Sequence, residues 1–180
     1  DGMVERRTIR VLTAYSRTLY FVDQGTPRGT AYAQGQLLEE HLNKSPKAAH
    51  LPLRVQFIPV SRDELLPALR EGKGDVVMAN LTVTPERKEM VDFTDPWIAG
   101  VQEIVVARPG GPEITSVDDL SGKEVFVRVS SSYYESLVKL NERFAGEEKA
   151  PVTLTPAPEE LEDEDLLEMA NAGLVDLLVV

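Results

Sequence analysis

The chain alternates between short β-like apolar runs and stretches of helical spacing. Residues 8–14 set Ile9, Val11 and Leu12 among β-branched neighbours, the pattern of a buried strand. Gly25, Pro27 and Gly29 then mark a loop. Over residues 32–42 the apolar spacing is helical, with Leu37, Leu38 and Leu42 on one face. A second strand is predicted at 53–59. Ser61 stands at an N-cap position with Glu64 three residues on, which predicts a capping box and a helix running to Glu71 and stopping at Gly72. A third strand is predicted at 75–79. This βαβαβ order implies a parallel sheet covered by helices. Ligands of such sheets sit beyond the carboxyl ends of the strands, which singles out residues 15–21 and 80–87.

The pattern then restarts. An apolar strand is predicted at 101–107, and Arg108-Pro109-Gly110-Gly111-Pro112 reads as a boundary. Beyond it come a strand at 125–129, three serines, a helix at 133–144, a strand at 152–155, an acidic helix at 158–172 and a last strand at 176–180. The two halves also repeat a detail. Leu65-Leu66, Gly72, Asp75 and Val76-Val77 recur at identical spacing as Leu166-Leu167, Gly173, Asp176 and Leu177-Leu178. Each copy predicts an amphipathic helix, a glycine stop and a buried strand entered through an Asp. The expectation is an α/β chain of two similar lobes, residues 1–106 and 107–180, each a mostly parallel sheet flanked by helices. Because the sequence stops on a core strand, the second lobe is expected to be incomplete.

Composition narrows the function. The 180 residues are 42% hydrophobic and 27% charged, enough apolar side chains for a core. A net charge of -11 argues against nucleic acid and against anionic lipid as partners. The absence of cysteine excludes disulfides and thiolate chemistry. His41 and His50 fall at a helix end and in the loop after it, so neither a histidine metal site nor a Ser-His-Asp triad is expected. No cofactor is expected. The acidic run at 159–165 lacks the spacing and central glycine of a calcium loop and reads as a solvated helix face. No apolar run is long enough to span a membrane. Asp1-Gly2-Met3 reads as a trimmed start, so the lack of a signal sequence says nothing of location.

The chemistry concentrates in Asn80-Leu81-Thr82-Val83-Thr84-Pro85-Glu86-Arg87 and the Val91-Asp92-Phe93-Thr94-Asp95-Pro96-Trp97 that follows. Thr84 can cap a short helix that begins with Pro85. Arg87 then lies one turn in, where a planar guanidinium can grip a carboxylate with two parallel hydrogen bonds. The alternative is a surface ion pair with Glu86, Asp92 or Asp95.

The stretch from Asp75 to Trp97 resembles the signature of the family 3 bacterial extracellular solute-binding proteins, with its Thr-x-x-Arg followed by Val-Asp-Phe-Thr-Asp-Pro-aromatic. Leu120-Ser121-Gly122-Lys123 and the serine-rich turn at 130–132 are similar to the family's second lobe. The resemblance implies a two-lobed, Venus-flytrap domain of the type II periplasmic-binding-protein fold. It works outside the cytoplasm as a monomer, holds a small polar ligand between its lobes, and has no catalytic residues of its own. Arg87 would hold the ligand's α-carboxylate, Thr82 and Asn80 would flank it, Ser131 and Ser132 would offer backbone N–H groups at a helix start, and Tyr20 would wall the pocket. Asn80 departs from the small hydroxyl residues common there, which bears on ligand identity.

Arg10-Val11-Leu12-Thr13, Thr18-Leu19-Tyr20-Phe21, Gly25, Pro27, Gly29 and Tyr32 also resemble the start of the membrane-bound lytic transglycosylases of the F type. That likeness implies cell-wall peptide fragments as ligands and a separate catalytic domain as partner. An ABC permease is the partner if the role is transport. The outer part of a signalling receptor, or a periplasmic dehydratase on the same fold, are the competing readings.

Overall fold

The computed structural model describes residues 2–44 and 51–180. The chain falls into two compact units, Asp1–Thr94 and Asp95–Val180. The division expected near residue 106 thus lies earlier. The reason is pairing: the strand at Val105–Ala107 runs antiparallel to Leu177–Val179 and so belongs to the second sheet. That strand is also shorter than the predicted 101–107.

The first unit opens with helix α1 (Gly2–Arg6) and strand β1 (Thr8–Thr13). A hairpin of β2 (Phe21–Asp23) and β3 (Thr26–Arg28) follows, in place of the expected loop. Gly25 turns it with φ 80°, a conformation glycine adopts freely. Next come α2 (Thr30–Leu42), β4 (Arg54–Pro59), α3 (Leu65–Arg70), β5 (Val76–Val77) and α4 (Pro85–Lys88). The sheet order is β4-β1-β5, all parallel, with Val11 opposite both Phe57 and Val76. Leu12, Leu19, Ala31, Leu65 and Ala79 form its core. Each fully buried leucine contributes about 2 kcal/mol of burial free energy.

Two local expectations fail. The buried residues of α2 are Ala31 and Gly35, whereas Leu37 is 65% exposed. The helix turns its small residues to the sheet because Phe57 needs the room: a Cβ on Gly35 would stand 2.3 Å from that ring. The capping box at Ser61 does not form, since the Ser61 side chain makes no cap bond and a 3-10 turn at Arg62–Glu64 leads into α3 instead. His41 is exposed, and His50 lies outside the described residues.

The second unit contains β6 (Val105–Ala107), β7 (Glu124–Val127), α5 (Ser132–Gly146), β8 (Thr153–Pro156), α6 (Asp163–Asn171) and β9 (Leu177–Val179). Its sheet order is β6-β9-β7-β8, parallel except for β6 against β9. Val125, Val127, Leu137 and Phe144 fill the core on the α5 side; Leu166, Ala170 and Leu178 fill it on the α6 side. The predicted helix at 158–172 is the shorter α6. Glu162 caps it through a box with Asp165, whose Oδ2 accepts the Glu162 N–H at 3.0 Å.

The internal repeat holds down to single hydrogen bonds. Gly72 N–H donates to Leu69 O at 3.0 Å and Lys73 N–H to Ala68 O at 2.9 Å; Gly173 and Leu174 make the same bonds to Ala170 O and Met169 O at the same distances. Both glycines have φ 73°. This is a helix terminator that satisfies the last carbonyls through a left-handed residue. The Asp after each glycine is then anchored to an Arg one strand away, Asp75 to Arg10 at 2.9 Å and Asp176 to Arg108. Asp75 also accepts from Arg6 at 2.9 Å. The side-chain hydrogen bond from Arg10 holds the Asp75 carboxyl well below the usual carboxylate range, against the opposing effect of partial burial.

A second shared device closes the sheet edges. Asn43, which caps the C-terminus of α2, donates to Leu53 O at 2.8 Å and accepts from Leu53 N at 2.9 Å. Asn141 on α5 does the same to Val152, at 2.9 and 2.7 Å. Leu53 precedes β4 and Val152 precedes β8, each the edge strand of its sheet.

Candidate ligand-binding site

In the first unit, the carboxyl ends of β1 and β5 are tied together before the loops leave them. Thr13 is fully buried and donates its hydroxyl to Met78 O at 2.7 Å. Arg62 Nη1 donates to Ala79 O at 3.1 Å. The loop at 80–84 therefore starts from a fixed point. It begins with Asn80 at φ 50°, in the left-handed region that Asn tolerates better than most residues with a Cβ. That backbone demand accounts for Asn at this position without appeal to a ligand. The side chain of Asn80 is exposed.

The predicted cap is present. Thr84 Oγ1 accepts from Arg87 N at 3.3 Å and Pro85 is the first residue of α4. Arg87 is not a surface residue: it is 5% exposed, and its Nη1 donates to Thr82 O at 3.1 Å. One arm of the guanidinium thus braces the loop that Thr82 belongs to. A planar fork braced in this way suits recognition of a carboxylate. Arg87, Thr82 and Asn80 are brought together on one loop and helix start.

Tyr20 is placed differently. Its ring stacks on Phe57 at 5.3 Å between centroids and meets Tyr32 edge-on at 6.4 Å. It is half-buried in an aromatic cluster that includes β4, an arrangement that serves packing.

In the second unit, Ser131 and Ser132 are both buried at the start of α5. The Ser131 hydroxyl accepts from Tyr134 N at 3.2 Å and donates to Arg128 O at 2.7 Å, so it is the N-cap. Two neighbours were not foreseen. Glu159, on the loop after β8, receives both the N–H and the hydroxyl of Ser130. Arg128 is 3% exposed; its guanidinium is bound by Leu161 O and Asp163, and its Nε has no partner. A sequence signal for Arg128 existed: an Arg between two valines at the end of a core strand has little access to water.

This pair of α/β units, with parallel sheets whose loops carry a braced Arg in one and a serine-capped helix start in the other, is the type II periplasmic-binding-protein fold. The chain belongs to the bacterial extracellular solute-binding proteins, family 3, whose model matches residues 9–178. A membrane-bound lytic murein transglycosylase F of Aeromonas hydrophila subsp. hydrophila is 29% identical over 177 residues, 98% of this chain and 32% of that one. A probable histidine-binding protein of Neisseria gonorrhoeae is 37% identical over 79 residues, 44% of this chain and 28% of that one. The chain therefore spans roughly a third of the length of these curated relatives. Among solved structures, an ancestral arginine-binding protein bound to glutamine matches with a TM-score of 0.73 at 29% identity, covering 97% of this chain and 69% of that one. Among the described residues, no helix is long and apolar enough to cross a membrane.

Proposed function

We propose that the chain binds, outside the cytoplasm, a small polar ligand bearing a carboxylate: an amino acid or a peptide fragment of the cell wall. It binds without turning the ligand over. The observation that carries this reading is the buried Arg87, braced on Thr82 O at the carboxyl end of its sheet. Arg87 takes the carboxylate, and Thr82 and Asn80 flank it. Family membership and the amino-acid ligands named for the structural relatives support the ligand class. Titration calorimetry with the common amino acids and a muramyl tripeptide tests it. Arg87→Ala should weaken the best ligand by ~1.5–3 kcal/mol, the scale of a charge-assisted hydrogen bond. Unchanged affinity would remove Arg87 from the site.

One observation favours a regulatory role over transport. The lytic transglycosylase F relative aligns along nearly the whole of this chain while extending far beyond it. On that reading a catalytic domain, in place of an ABC permease, is the partner. Adding the muramyl tripeptide to the full-length protein should change its rate of peptidoglycan cleavage, whereas a free amino acid should not.

A further inference from the structure

A groove of about 500 Å3 runs between α2 and the outer edge of β4. Tyr32, Gln36 and Glu39 line it from the helix, Val55 and Phe57 from the strand. The parallel ladder dictates which backbone groups face it. Arg54 N–H donates to Arg7 O at 3.0 Å and Val60 N–H to Thr13 O at 2.9 Å, so residues 54, 56, 58 and 60 turn toward β1. Val55, Phe57 and Pro59 turn their backbone groups outward.

An outward edge is a template for another strand unless it is blocked. Most of this one is blocked. Asn43 occupies both groups of Leu53, Glu39 Oε2 accepts the Val55 N–H at 2.7 Å, and Pro59 has no N–H to offer. Among the described residues, no side chain closes the level between Val55 C=O and Phe57 N–H. The second unit differs at that level. Counting from the matching clamps at Leu53 and Val152, the counterpart of Phe57 is Pro156, which cannot donate. The open level in the first unit is also furnished. The Phe57 ring lies 5.4 Å from that of Tyr32, and Gln36 Nε2 donates to Tyr32 Oη at 2.9 Å. Two carboxylates stand there: Glu39 is held by Arg54 at 2.9 Å, while the exposed Glu40 makes only a loose contact with Lys44 at 3.9 Å.

We propose that this groove binds an extended peptide segment carrying a basic side chain, one residue of which pairs with Val55 C=O and Phe57 N–H. The added strand gives and takes the two hydrogen bonds that the edge leaves open. An apolar side chain of the peptide rests on the Tyr32 and Phe57 rings. A basic one meets Glu40, which is exposed and sits 3.9 Å from Lys44. The site is separate from Arg87, because β4 and β5 form opposite edges of the sheet.

The test is an amide-resonance titration of the 15N-labelled chain with N-acetyl-Leu-Lys-Leu-Lys-amide. The Val55 and Phe57 resonances should move together with Gln36. The same peptide N-methylated at its two central residues should bind at least about tenfold more weakly, because methylation removes the donor that pairs with Val55 C=O. Glu40→Lys should weaken the unmodified peptide several-fold, and Arg87→Ala should leave it unchanged. Equal affinity for the N-methylated peptide would overturn the proposal. So would an N-acetylglucosamine tetramer that shifts these resonances where the peptide does not, or resonances that stay still at millimolar peptide.

Discussion

Asn141 and Val152 form a two-way amide pair: the side-chain amide donates to the Val152 carbonyl at 2.9 Å and accepts its N–H at 2.7 Å. The side chain thus imitates a neighbouring strand for one residue. Val152 is 3% exposed, so losing the amide leaves two buried backbone groups unmet. Asn141→Ala should lower unfolding free energy by about 2–3 kcal/mol, read from urea denaturation followed by circular dichroism. Asn43→Ala removes the same pair from the more exposed Leu53 and should cost less. Equal losses would contradict the burial argument.

Arg87→Lys separates charge from geometry. Lysine keeps the positive charge but cannot brace Thr82 O while presenting a planar fork. Ligand affinity should fall about tenfold or more, with the thermal midpoint little changed. Calorimetry and a melting curve on the same sample check both. A lysine variant that binds as well as wild type would show that charge alone suffices.

Asn80 makes a backbone prediction. At φ 50° a glycine carries no steric penalty and a β-branched residue carries a large one. Asn80→Gly should be neutral within about 0.5 kcal/mol, while Asn80→Val should destabilise by about 1–2 kcal/mol. Melting temperatures of the two variants rank them. If the glycine variant loses binding but not stability, the amide itself touches ligand.

Gly35→Ala tests the close approach of α2 to Phe57. A Cβ at 2.3 Å from the ring forces helix and strand apart. The usual gain of about 1 kcal/mol for replacing a helical glycine should be reversed into a loss of about 1–3 kcal/mol, visible in chemical denaturation.

Acid should loosen the first unit through Asp75. Its carboxyl lies below its unfolded-state value because Arg10 and Arg6 hydrogen-bond its charged form. A depressed folded-state pKa adds stability that is complete above the unfolded value and is lost as pH falls toward the folded one. Stability should therefore decline below about pH 4. Asp75→Asn should flatten that decline while lowering stability at neutral pH. An unchanged acid limb in the variant would show that other carboxylates govern it, with Asp118 and Asp119, also held low by their hydrogen bonds, the first to examine.

The sequence carried the parallel strands and the repeat clearly, since runs such as Ile9–Val11–Leu12 and the glycine–aspartate spacing have few alternative solutions. It also carried the Thr84–Pro85 cap, a purely local signal. It misled at α2, where Leu37 and Leu42 suggested the buried face. Tertiary shape overruled them, because the face that meets Phe57 must be small there, and Ala31 and Gly35 lie on it one turn apart. The boundary was misplaced because Val105–Ala107 pairs with a strand some seventy residues later, a contact that no local pattern reports. Arg87 was found as a residue type at a position; its burial and its bond to Thr82 O were not legible. Tyr20 could not be resolved from sequence, since walling a pocket and joining an aromatic cluster ask for the same side chain.

Arg128 carries a final implication. Its guanidinium sits beneath Leu161 O and Asp163, with one nitrogen already lacking a partner. Lifting the segment ahead of α6 by a small amount would strand a full positive charge in a medium that solvates it poorly. Partial detachment is thus strongly disfavoured, and the buried charge itself keeps that loop seated.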